Sequence, residues 1–243
     1  MTLTKCDLYF ADKAILIEGP TERILMPRIH RLVDEQLEDD KKLSKQYISI
    51  IEVGGAYAHR FYPLLDYLEL RTLIITDIDS VKLNGSGKWI KCKHSEGART
   101  SNAAIKNWFN RDNISPEELK QKTQAEKVIG HRCLTYQIPE ATLTACARSF
   151  EDALVLANPT MFGLNAGDDW EEAAWNKAQD MPKTETALRY AIEVTNWEVP
   201  RYIKEGLRWL SEPPASILDS TAPDTPEPPE QPGVLVEVIA EHG

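Results

Sequence analysis

Two short apolar runs in this chain end abruptly in carboxylates: Ile15-Leu16-Ile17-Glu18-Gly19-Pro20-Thr21-Glu22 and, some sixty residues later, Leu73-Ile74-Ile75-Thr76-Asp77-Ile78-Asp79. Both read as buried β-strands, and between them lies a helix-period segment with Leu25, Ile29, Leu32, Val33 and Leu37 at three- and four-residue spacing. Tyr47 to Val53 is a second β-rich run that breaks at Gly54-Gly55, and Phe61, Leu64, Leu65 and Leu68 mark a second amphipathic helix. A β-α-β-α-β order of this kind predicts a parallel sheet flanked by helices. In such a sheet ligands bind outside the carboxyl ends of the strands, so Glu18, Glu22, Asp77 and Asp79 are expected to converge on one site. Four clustered carboxylates call for a cation, and a hard divalent ion such as Mg²⁺ with oxygen ligands points to phosphoryl chemistry.

Each acid also has an ordinary reading. Glu22 in a first helical turn compensates the helix dipole, and Pro20 suits a first helical position. Glu18, directly after Ile-Leu-Ile, is harder to explain away, because a buried carboxylate is costly unless it is paired or metal-bound. Asp77 and Asp79 occupy alternate positions that point to one side if the chain stays extended.

Beyond Val81 the pattern loosens. Residues 1–82 are expected to be the first part of the core and 83–130 a mainly helical insertion, with a Gly-Ser-Gly loop at Gly85 to Gly87 and helical segments around Asn102 to Asn110 and Pro116 to Val128. Residues 131–210 complete the fold, with a strand from Cys133 to Ile138 and a helix from Thr144 to Ala157. Further helices are expected around Trp170 to Gln179, Lys183 to Val194 and Tyr202 to Leu210. Residues 211–243 change character: they hold seven acids and no Lys or Arg, and seven of the fifteen prolines fall between Pro213 and Pro232. That tail is expected to be an extended linker, with Val234 to Ile239 able to add a short edge strand.

The 243 residues carry a formal charge of −10, which argues against a nucleic-acid-coating protein of general basicity. The tail holds most of the excess, so the body is nearly neutral. Cys6, Cys92, Cys133 and Cys146 show no CxxC pair and no zinc-ligand spacing, as expected of reduced core or surface thiols. No apolar run reaches the ~18 residues of a membrane helix, and no signal peptide is visible, which together suggest a cytoplasmic protein.

Glu18-Gly19-x-x-Glu22 after one strand, with Thr76-Asp77-x-Asp79 after a later one, resembles the Toprim domain of type IA and II topoisomerases, bacterial primases and OLD-family (overcoming lysogenization defect) nucleases. The surrounding wording is most similar to the OLD family: Phe10-Ala11-Asp12-Lys13, Val53-Gly54-Gly55-Ala56-Tyr57 and Thr76-Asp77-Ile78-Asp79-Ser80. The resemblance runs from about Leu8 to Tyr190. It implies an α/β, Rossmann-like Toprim fold and a metal-dependent DNA endonuclease that uses two divalent cations, Mg²⁺ foremost, with Mn²⁺ or Ca²⁺ as alternatives. One ion would activate the attacking water, and the other would stabilise the leaving oxygen.

The same resemblance gives roles to later residues. Ser149-Phe150-Glu151-Asp152 looks like the family's third acidic segment, in which Glu151, Asp152 or both complete a metal site and Ser149 meets substrate. Lys183, opening a helix after Pro182, looks like the active-site lysine that offsets charge on the reacting phosphate. OLD proteins join this region to an N-terminal ABC-type ATPase, so a longer ATPase-nuclease is implied. Gly85-Ser86-Gly87-Lys88 is not a Walker A sequence, since it lacks the first glycine and is followed by Trp89. Lys82, Lys88, Trp89, Lys91, Lys93 and His94 form a basic stretch suited to phosphate contacts and base stacking.

Two other readings compete. Asp77-Ile78-Asp79-Ser80-Val81 also resembles the first motif of haloacid-dehalogenase-type phosphatases, with Asp77 as nucleophile and Asp79 as acid/base. A non-catalytic Toprim module that binds DNA or regulates an ATPase is the third.

Overall fold

The computed structural model describes residues 3–54, 56–165 and 167–213. The Pro-rich acidic tail, including the strand expected at Val234 to Ile239, lies outside the described residues beyond Pro213.

The β-α-β-α-β start forms as the periodicity predicts: β1 (Lys13–Ile17), α1 (Pro20–Asp34), β2 (Ile48–Glu52), α2 (Tyr62–Tyr67) and β3 (Arg71–Ile75). The insertion contributes β4 (Ser80–Leu83), β5 (Trp89–Lys91), β6 (Arg99–Thr100), α3 (Ala103–Phe109), α4 (Pro116–Lys120) and β7 (Val128–Ile129). β8 (Arg132–Thr135), α5 (Phe150–Ala157), α6 (Trp170–Gln179), α7 (Lys183–Ile192) and α8 (Arg201–Ser211) complete the described chain.

The main sheet has the order β2-β1-β3-β8-β7, parallel throughout except for β7, which runs antiparallel to β8. Because β2 lies on one side of β1 and β3 on the other, the strand order reverses at β1, which makes the crevice between the carboxyl ends of β1 and β3 the topological switch point. Lys13 pairs with Arg71 and Leu16 with Ile74, so Glu18 leaves β1 beside the point where Thr76 and Asp77 leave β3.

Alternation along the strands divides the core between the two sheet faces. Ile15, Ile17, Leu73 and Ile75 pack with Leu25, Met26 and Ile29 of α1, with α5, and with Ile203 and Leu207 of α8. Ala14, Leu16 and Ile74 face the other way, against Leu65 of α2 and Ala104, Ile105 and Trp108 of α3. Each fully buried aliphatic side chain contributes about 1.5–3 kcal/mol relative to exposure, so both layers are firmly held. α8 lies especially close to the sheet at Gly206, where an added Cβ would come within 2.9 Å of Leu73 Cδ1 and 3.1 Å of Thr135 Cγ2. Its carboxyl end is fixed by cations at the opposite end of the sheet from the acids. Lys13 Nζ donates to the carbonyls of Leu210, Ser211 and Glu212, and Arg71 donates to that of Trp209 (2.6 Å), complementing the helix dipole.

Three local expectations change. The insertion, read as mainly helical, also holds a three-stranded antiparallel sheet of order β5-β4-β6, whose strands are too short to impose a readable alternation. The helix expected to run from Pro116 to Val128 stops at Lys120. The chain then turns to become β7, which pairs with β8 through a tight reversal at Gly130 (φ 55°). The helix expected from Thr144 begins only at Phe150, because Ser149 and Asp152 form a capping box that sets its start.

Candidate active site

Glu18 stands at the centre of the switch-point crevice. Its Oε1 accepts hydrogen bonds from the Thr76 hydroxyl, the Asp77 amide (3.1 Å) and Asn102 Nδ2 (2.9 Å). Burial pushes its carboxyl above the usual range in spite of those donors, and Asp79 adds to the effect. Glu22, in the first turn of α1, is buried and has a pKa pushed up to about 7. Burial is the main cause, its own amide pulls the other way, the charges of Glu18 and Glu151 add to the rise, and Lys183 opposes it.

Asp77 accepts a hydrogen bond from Gln137 Nε2 (2.6 Å) and is raised well above the carboxylate range, first by burial and then by Glu18, Asp79, Glu22 and Glu151. Asp79 does not continue the extended chain that simple alternation assumed: its backbone is left-handed (φ 52°), an uncommon conformation for a residue with a Cβ. The surroundings hold it there. Its amide donates to Arg148 O (3.0 Å), its carbonyl accepts from the Ser101 amide and hydroxyl (3.0 Å each), and its carboxylate takes Arg148 at 2.6 Å. Backbone strain enforced by several contacts is typical of functional positions.

α5 separates the two acids that sequence left as alternatives. Glu151 is buried toward the cluster and pairs with Lys183 Nζ at 2.8 Å. Asp152 turns away, accepting from the Arg148 amide (2.8 Å) and from the Ser149 amide (2.8 Å) and hydroxyl (2.6 Å), so it serves as the helix cap. Ser149 is thereby committed to the same cap. Lys183 opens α7, and its side chain is 62% exposed. Partial burial alone would lower its pKa, but the contact with Glu151 and the fields of Asp77 and Glu22 raise it instead.

The structure therefore brings together Glu18, Glu22, Asp77, Asp79, Glu151 and Lys183. Lys88 and Lys91 lie on the exposed β4–β5 hairpin, while Lys93 is engaged by Glu172 and, at 3.6 Å, by Glu96.

Three supporting residues escaped the sequence reading. Asn102, almost fully buried, reaches Glu18, Thr76 Oγ1 (2.7 Å) and Asp77 O (2.8 Å) through Nδ2, while its Oδ1 caps α3 at the amides of Ala104 and Ile105. Gln137 bridges Asp77, the Ile78 amide (2.8 Å) and the Tyr202 hydroxyl (3.3 Å). Arg148 grips Asp79. An Asn just before a helix and a Gln within the apolar run Leu-Thr-Tyr-Gln-Ile were the available signals, but neither indicates a partner.

Among the described residues no three acids, histidines or cysteines are already drawn to ligand spacing. The reason is visible in the bonding, since four of the five acids lean on separate donors: Glu18 on Thr76 and Asn102, Asp77 on Gln137, Asp79 on Arg148 and Glu151 on Lys183. The chemistry of the donor set nevertheless fits a hard divalent cation. The acids are oxygen ligands, burial and neighbouring carboxylates raise the pKa of Glu18, Glu22 and Asp77, and Lys183 and Arg148 are fewer than the charges they face.

A mostly parallel α/β sheet with acids at the carboxyl ends of its two switch-point strands is the architecture of a Toprim domain. Residues 9–79 match the family described as "Overcoming lysogenization defect protein-like, TOPRIM domain", a span that contains Glu18, Glu22, Asp77 and Asp79, and the chain carries an OLD-family Toprim region. Among curated proteins it is similar to Endonuclease GajA of Bacillus cereus (strain HuB5-5), with 30% identity over 234 residues, covering 84% of this chain and 32% of that protein. The chain thus spans about a third of the length of the curated relative it matches. No described helix is long and apolar enough to cross a membrane.

Proposed function

We propose that this chain is the catalytic region of a metal-dependent DNA endonuclease. The observation that carries the reading is the convergence of Glu18, Glu22, Asp77, Asp79 and Glu151 with Lys183 at the carboxyl ends of β1 and β3. The similarity to a protein named as an endonuclease supports the same class.

Glu18, Glu22, Asp77, Asp79 and Glu151 would hold two divalent cations, Mg²⁺ foremost. Such ions supply activation of the attacking water and charge stabilisation at the leaving oxygen of an in-line displacement. The protein's own part is electrostatic and positional. Glu18 and Asp77 are aimed by Asn102 and Gln137, and Asp79 is fixed by its turned backbone and by Arg148. Lys183, held at the rim by Glu151, presents a cation to the non-bridging phosphate oxygens as charge builds on them. Asp152 has a structural role under this reading, so Glu151 is the ligand of the pair. The phosphatase scheme could take in Lys183 and the Glu151–Asp152 pair beside Asp77 and Asp79, but Glu22 and Glu18, which is bonded to the Asp77 amide, would have no part; the nuclease reading uses both.

The resemblance to the OLD family supports a place for this region within a longer ATPase-nuclease of the cytoplasm, a reading compatible with the chain spanning about a third of its relative's length. Incubating the protein with supercoiled plasmid and Mg²⁺, Mn²⁺ or Ca²⁺ tests the proposal. Nicked or linear product that disappears with EDTA and in Asp77→Ala and Asp79→Ala is the expected result; cleavage that survives in both variants overturns it.

A further inference from the structure

β4 follows Asp79 without a break, and the small antiparallel sheet is tied to the acidic loop by its last strand. Thr100 Oγ1 donates to Ile78 O, and the amide and hydroxyl of Ser101 donate to Asp79 O. Whatever this sheet binds is held at fixed reach from the acids.

Its register places Lys91 and Arg99 on either side of Val81 and Trp89 opposite Leu83, so these residues share one face. There the Arg99 guanidinium lies 3.8 Å from the centroid of the Trp89 ring, which remains 42% exposed, and Leu83 is 54% exposed. The cations of the sheet divide into two groups. Lys82 pairs with Glu96, and Lys93 with Glu96 and Glu172. Lys88, Lys91 and Arg99 have no acidic partner among the described residues. Arg99 instead bonds the Asn113 side chain (2.9 Å). Gly85 to Lys91 is exposed throughout, so neither the indole nor the lysines are there to fill a core.

An acid cluster by itself repels a phosphate backbone, and a substrate approaching it needs cations close by. We propose that the β4–β5 hairpin is the arm that engages the DNA strand beside the cutting site, with Lys88, Lys91 and Arg99 against phosphates and Trp89 packed on a sugar or base. The assignment rests on the nuclease reading and names the surface through which that activity meets its substrate. A guanidinium already stacked on an indole is a preorganised platform for both parts of a nucleotide. The partner is recognised through its sugar–phosphate chain, so single- and double-stranded DNA are the two arms of the test.

Binding of labelled single- and double-stranded oligonucleotides is measured in EDTA across a salt series, and plasmid cleavage in Mg²⁺. The wild-type chain is compared with Lys88→Gln/Lys91→Gln and with Trp89→Ala. Loss of two phosphate contacts should make the duplex salt slope shallower by about 2 and raise KM roughly tenfold with kcat nearly unchanged. Trp89→Ala should weaken binding roughly fivefold or more, most on the strand type that offers an unpaired base. The lysine variant should melt at the wild-type temperature, since both residues are exposed, and Trp89→Ala, which also gives up its Arg99 contact, should keep the wild-type secondary structure. Unchanged salt slope and KM in variants of a chain that still cuts would overturn the hairpin assignment and leave the nuclease reading intact. A wild-type chain that neither binds nor cuts DNA would overturn both. If the substitutions instead dissolve a self-associated form without touching DNA binding, the hairpin is an edge for a second copy and the proposal fails.

Discussion

Replacing Glu22 with Gln should make the metal-free protein more stable at pH 8. In the folded chain the Glu22 carboxyl titrates at about 7 instead of 4.5, mainly because it is buried and then because Glu18 and Glu151 lie close. At about 1.4 kcal/mol per pH unit, holding that carboxylate ionised at pH 8 costs about 3 kcal/mol of folding free energy. The folded state binds this proton more tightly than the unfolded state does. Glu22's share of the stability of the wild type therefore declines as pH rises from 4.5 to 7 and stays low above it, and Glu22→Gln lacks that share of the decline. For a domain of this size the difference corresponds to roughly 6–12 °C in Tm at pH 8, and it closes below pH 4.5, where Glu22 is protonated in both states. Thermal unfolding in EDTA at about pH 4, 6 and 8, followed by circular dichroism, reads the difference on both sides of the window and within it. The same variant should gain less Tm on adding Mg²⁺ than the wild type, because a ligand that neutralises the cluster has less strain to relieve. A variant that melts at or below the wild-type temperature at pH 8, with unchanged secondary structure, refutes the idea that Glu22 is a strained member of the acid cluster.

Glu151→Gln and Asp152→Ala should separate cleanly: the first removes cleavage with little loss of Tm, while the second removes half of the capping box of α5 and costs about 1–2 kcal/mol in urea unfolding. Asn102→Ala is expected to lower stability by about 2 kcal/mol or more, since it deletes the α3 cap and leaves Glu18 and the Asp77 carbonyl short of a donor. Gly206→Val should destabilise by about 1–3 kcal/mol through collision with Leu73 and Thr135, read as a lower urea midpoint. His30, whose pKa burial depresses from 6.5 to about 4, contributes stability above pH 6.5 that is lost as pH falls through 4. His30→Leu should lose less Tm than the wild type over that interval.

The strand–helix alternation that orders β1 to β3 was legible because each element carries its own period: an unbroken apolar run for a strand buried on both faces, three- and four-residue spacing for α1. The same locality made Glu18, Glu22, Asp77 and Asp79 visible, since an acid at the inner end of an apolar run stands out wherever the chain goes next. Sequence alone also fixed the start of α7 at Lys183 and the whole of α6. What it could not convey was neighbourhood. That β1 and β3 lie side by side is a matter of sheet order, set by how two helical layers cover the faces, and no residue in either strand states it. Glu151 and Asp152 are adjacent in the chain and chemically alike; only the capping box at Ser149, and a lysine thirty-odd residues on, give one a place in the cluster and the other a place in the helix. Asn102, Gln137 and Arg148 gain their meaning from partners that are 84, 60 and 69 residues away. Periodicity and end signals are short-range properties that a sequence carries openly. The choice of partner for a polar side chain depends on which surfaces the core brings together, and that is decided only when the chain has folded.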